Sequence, residues 1–147
     1  MSYPILLTLH LFAALIFIGT VFFEVLILES VRKQVPAAAM RLLEQGVGRR
    51  ARQLMPWVLL TLFAAGLSMV WLRYLPALTS PLDSAFGTLL ALKIILAASV
   101  LGHFFTAMFL FRTHRMTGRY LRIIHLSLFV HMIGIVVLAK SMFYLSW

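Results

Sequence analysis

Apolar residues run along this chain in four long stretches, and polar residues gather in the breaks between them. The stretches extend from about Tyr3 to Leu28, Leu54 to Leu75, Ala85 to Phe111 and Leu121 to Tyr144. A hydrocarbon core about 30 Å thick is crossed by roughly 20 helical residues. Each stretch therefore predicts a transmembrane helix, and together they account for nearly the whole chain. The expected fold is an all-α integral membrane protein, a single domain over residues 1–147 built as a four-transmembrane-helix bundle. The first stretch has no basic leader and no small-x-small cleavage site, so it reads as a retained span rather than a secretory signal. Between the first two spans, Pro36 to Gln53 predicts a short amphipathic helix on the membrane surface, starting near Pro36 and broken at Gly46 and Gly48.

Composition sharpens this picture. The chain is 63% hydrophobic and 12% charged, with a mean hydropathy of +1.01, whereas soluble domains carry roughly a quarter of their residues as charged side chains. A soluble core cannot absorb that much apolar surface. Cysteine is absent, which excludes a disulfide framework, a thiolate metal site and a cysteine nucleophile.

The net charge of +9 is unevenly placed. Arg32, Lys33, Arg41, Arg49, Arg50 and Arg52 lie in the first link, and Arg112, Arg115, Arg119 and Arg122 in the last. The link from Pro76 to Ser84 holds only Asp83 and is bounded by Arg73. Lys and Arg in short loops stay on the cytoplasmic side, so the expected topology is N-out and C-out, multi-pass, in a bacterial inner (plasma) membrane. That topology accounts for the charge excess and gives it membrane lipid as partner, the anionic headgroups of the inner leaflet, with no nucleic acid required.

Ionisable side chains inside hydrocarbon cost a few kcal/mol or more unless paired or liganded, and several occur here: His10, Glu24, Lys93, His103, His125, His131 and Lys140. Depth along each helix sorts them. His10, Lys93 and Lys140 share an outer layer, His103 and His131 lie near the midplane, and Glu24 and His125 lie near the inner interface. Two histidines at matching depth on facing helices meet the condition for axial ligation of haem b, with Lys93, Lys140 and Arg73 outward of them for the propionates. Glycines beside them, Gly102 and Gly134, leave room for a flat macrocycle. On the fourth helix His131 and Lys140 fall on opposite faces, so either one face is a homo-oligomer interface or Lys140 snorkels to the surface. The eight methionines form no M-x-x-M cluster, so copper relay on methionine alone has little support. Nothing resembles a nucleophilic triad, a phosphate loop or a metalloprotease helix.

These residues also carry a family resemblance. The run Leu9-His10-Leu11-Phe12-Ala13-Ala14-Leu15-Ile16-Phe17-Ile18-Gly19 resembles the opening helix of the CopD copper-resistance membrane family. Phe86-Gly87-Thr88-Leu89-Leu90-Ala91-Leu92-Lys93-Ile94 is similar to that family's glycine, aliphatic run and lysine. The same features, with Arg49-Arg50 before the second helix and Pro56 at its start, resemble the HemJ type of protoporphyrinogen oxidase. The resemblance implies that His10 and Lys93 are the haem-binding and activity-linked positions, Lys93 being the catalytic candidate. The leading expectation is a haem b-binding redox protein, an oxidoreductase passing electrons between a donor and a quinone or another redox protein, with cofactor contacts from His10, Lys93, His103 and His131. The alternative is a CopD-like copper transporter with His10, His103 and His131 as ligands of a copper ion. A third reading is a structural subunit whose polar residues only set helix register.

Overall fold

The computed structural model describes residues 2–145, and every regular element among them is helical. Four helices, α1 (Ser2–Val31), α2 (Ala37–Thr79), α3 (Ala85–Arg112) and α4 (Gly118–Ser141), are each long and apolar enough to cross a membrane. Two of them widen locally into π-helical turns, at Phe23–Leu28 in α1 and Val70–Tyr74 in α2. A short 3-10 turn, Pro81–Asp83, precedes α3.

The ends of α3 and α4 follow from local chemistry. Ser84 is extended, and its Oγ accepts a hydrogen bond from the Gly87 N–H at 3.1 Å, capping α3. Thr117 caps α4 in the same way, accepting from the Tyr120 N–H at 3.3 Å. Gly87 is required by close approach: a Cβ there would lie 2.7 Å from the Ala77 carbonyl oxygen and 2.9 Å from that of Pro81. α3 closes in a Schellman motif, with the Arg115 N–H on the Leu110 carbonyl at 2.9 Å and the His114 N–H on that of Phe111 at 3.2 Å. His114 holds the left-handed position of that motif, φ 55°, where glycine is usual.

α2 departs from the sequence expectation. It is one continuous α-helix from Ala37 to Met69, through Gly46, Gly48 and Pro56. The separate surface helix expected over Pro36 to Gln53 is thus the first turns of α2, and the two glycines do not break it. Each helical glycine costs about 1 kcal/mol relative to alanine, but the neighbours are strong helix formers: Ala, Met, Arg, Leu, Glu and Gln. Pro56 forfeits one N–H donor without ending the helix. The expected start at Pro36 holds, since that residue (φ −53°, ψ 139°) is the N-cap.

The chain divides into two compact units, Met1–Arg73 and Tyr74–Trp147. In the first, α1 packs on α2. Ala13, Phe17 and Val21, four residues apart on one stripe of α1, are buried with Val58, Leu59, Ala65 and Met69 of α2. Arg32 ties the turn by pairing with Glu29 at 3.3 Å and Glu44 at 2.6 Å. In the second unit α3 packs on α4, burying Val100, Ile124, Leu128 and Met132. At one end of that pair Leu89, Leu90 and Met142 form a cluster covered by Tyr74, Leu78, Phe86, Ile94 and Leu138. Large apolar side chains also face outward on all four helices, among them Leu15, Leu60, Ile95 and Val130.

Candidate functional site

His10 projects from α1 onto α2, where its Nδ1 lies 2.9 Å from the Leu62 carbonyl oxygen. A carbonyl can only accept, so Nδ1 carries the proton and the ring's lone pair belongs to Nε2. The seat is shaped by Gly66, one helical turn beyond Leu62. A Cβ at that position would come within 3.0 Å of His10 Cε1 and 3.1 Å of Nδ1. An alanine there would push the imidazole back from α2 by a few tenths of an ångström.

In the second unit His103 of α3 and His131 of α4 meet, with ring centroids 5.1 Å apart and planes inclined by 60°. Each is held twice. His103 Nδ1–H donates to the Ser99 carbonyl at 2.8 Å, and its Nε2 lies 2.9 Å from Ser127 Oγ on the facing helix. His131 Nδ1–H donates to the Ser127 carbonyl at 2.8 Å, and its Nε2 lies 3.0 Å from Ser99 Oγ. With both Nδ1 atoms protonated toward carbonyls, each neutral imidazole accepts the serine hydroxyl proton at Nε2. Two Ser-x-x-x-His turns on antiparallel helices therefore form one closed clasp of four side chains. All four residues are half-buried, and every ring nitrogen is satisfied.

The remaining candidates are more dispersed. Lys93 is half-buried, and among the described residues its ammonium has no hydrogen-bond or ion-pair partner. Lys140 is exposed, its Nζ 5.5 Å from the centre of the Tyr144 ring. That is the arrangement expected of a snorkelling lysine. Arg73 lies over the Tyr3 ring at 5.1 Å. Glu24 and His125 are half-buried. Among the described residues no three His, Asp or Glu side chains converge as a metal-binding group.

These positions allow a test of fit for haem. An iron between His103 and His131 would need both Nε2 lone pairs aimed at one point, but each is committed to a serine on the opposite helix. A Cβ on Gly134 would lie 3.1 Å from Leu96 Cδ1, whereas one on Gly102 would meet nothing within 4 Å. As arranged, the pair does not fit a haem between its rings. The His10 ring is oriented by the carbonyl on Nδ1, which makes Nε2 its basic nitrogen. Ser99 and Ser127 were not among the residues singled out from sequence. Their signal was the repeated spacing, serine four residues before histidine on two successive spans. The chain matches no protein-family model, no curated protein and no solved structure.

Proposed function

We propose that this chain is a four-span protein of the bacterial inner membrane, with both termini on the side away from the cytoplasm, that binds haem b through His10 and takes part in electron transfer. The observation that carries this reading is the seating of His10. Its Nδ1–H is committed to a backbone carbonyl and its ring is pressed onto Gly66, which fixes the tautomer and raises the basicity of Nε2 as metal-bound histidines require. Haem, when bound, supplies the one-electron chemistry. The chain's residues orient and bury it. The Ser-His clasp belongs to the framework, holding α3 to α4. The membrane reading is supported by four helices of sufficient length and apolarity, and the orientation by the arginines of the first and last links.

The test is the absorption spectrum of the detergent-purified protein, oxidised and dithionite-reduced, with metal analysis on the same sample. A Soret band that shifts on reduction is expected. His10→Ala should abolish it, while His103→Ala and His131→Ala should keep it and lower only the melting temperature. Loss of the band in His103→Ala or His131→Ala with His10→Ala unaffected would reverse the ligand assignment. Copper without a Soret band would support metal transport instead, and a protein without either would leave the structural-subunit reading.

A further inference from the structure

A groove of about 530 Å³ runs along the outside of the α1–α2 pair. Its α1 wall is Leu15, Ile16, Gly19, Thr20 and Phe23, and its α2 wall is Val47, Arg50, Ala51, Leu54 and Met55. Both sets fall at helical spacing, one stripe from each helix. The floor is low at Gly19, where a Cβ would meet nothing within 4 Å, and the Thr20 hydroxyl is turned inward onto the Ile16 carbonyl at 2.8 Å. The wall is thus apolar except at Arg50. That side chain is exposed and has no ion-pair partner among the described residues. The acids nearest the first link, Glu29 and Glu44, are committed to Arg32.

Arg50 also sits at a boundary. Toward Leu54 one further arginine, Arg52, and Gln53 intervene before α2 becomes apolar, and on the other side lie Arg41 and Arg49. In a membrane this is the level of lipid phosphates. From there the groove climbs along Leu54, Met55, Leu15 and Ile16, which offer nothing but hydrocarbon contact. We infer that the groove is a binding site for one anionic phospholipid, its phosphate on Arg50 and an acyl chain lying over Gly19 between the two helices. Charge complementarity selects the headgroup, and the apolar stripe selects the chain. The inference rests on the membrane-spanning reading above and is independent of haem.

Carbonate extraction of membranes containing the full chain separates the two claims. Release of the protein would overturn the spanning reading itself. With the protein retained, native mass spectrometry of the detergent-purified full chain, titrated with equal amounts of dioleoyl-phosphatidylglycerol and dioleoyl-phosphatidylcholine, reads the site. The wild type should hold one phosphatidylglycerol in preference to phosphatidylcholine. Arg50→Gln should reduce that preference about fivefold, the scale of one arginine at a lipid surface. Arg49→Gln, outside the groove, should leave it unchanged. Gly19→Leu, whose Cβ meets nothing within 4 Å, should fill the groove and displace the lipid while helicity by circular dichroism stays the same. Equal retention of both lipids, an Arg50→Gln spectrum like the wild type, or equal losses in Arg49→Gln and Arg50→Gln would overturn the inference. A dimer or a copurifying protein that Gly19→Leu releases would do so as well.

Discussion

Ser99 and Ser127 each act twice within the α3–α4 pair. The backbone carbonyl holds the imidazole one turn further on, and the hydroxyl crosses to the imidazole of the other helix. Replacing either by alanine keeps the carbonyl and removes the crossing bond, leaving one Nε2 without its donor. Interhelical hydrogen bonds in membranes are worth about 0.6 kcal/mol on average and up to about 1.7. Ser99→Ala and Ser127→Ala are each expected to lose stability in that range by unfolding in mixed micelles. A double-mutant cycle of Ser99→Ala with His131→Ala should recover the same coupling. At the other end of α3, His114→Gly should stabilise by about 1 kcal/mol, because the left-handed backbone costs a non-glycine residue that much. The histidines were legible in sequence because an imidazole deep in an apolar stretch demands an explanation, and depth alone matched His103 to His131. Their partners were not, because serine is unremarkable in a transmembrane helix until two identical spacings are seen to oppose each other.

Among the helices, α2 differs most from what hydropathy suggests. An apolar window begins near Leu54 because it measures affinity for hydrocarbon. Helix formation begins at Ala37, where backbone hydrogen bonding and side-chain propensity take over. The other starts were legible where a cap residue marks them, as Ser84 and Thr117 do. The π-helical turns of α1 and α2 had no local signal at all. They arise from how an extra residue is accommodated once the helix is packed. Continuity of α2 through Gly46 has a direct consequence. A Cβ there meets nothing within 4 Å, so Gly46→Ala should stabilise by about 0.5–1 kcal/mol through the unfolded chain and helix propensity alone. Thermal melts followed by far-UV circular dichroism would show the rise. A fall would mean that the segment is not helical in solution.

For the whole molecule, the number of long apolar helices was legible because length and hydropathy suffice to count them. Which of them pair was not, since apolar faces carry no addresses, and the pairing of α1 with α2 and of α3 with α4 emerges only from contacts. Orientation in the membrane is open to a clean test because the chain contains no cysteine. Ser80→Cys and Gln34→Cys both fall at exposed positions in links. A membrane-impermeant maleimide should label Ser80→Cys in cells with the outer membrane opened, and Gln34→Cys only after the inner membrane is breached. The reverse pattern would invert the topology.

The clasp between α3 and α4 also decides how that pair can move. Its two crossing bonds are reciprocal, serine to histidine in each direction, so sliding one helix along the other changes both bonds together. No direction of glide exchanges one bond for the other. A pair joined this way resists glide by the modest strength of two hydrogen bonds acting together, so small rearrangements within residues 74–145 are expected to carry α3 and α4 together.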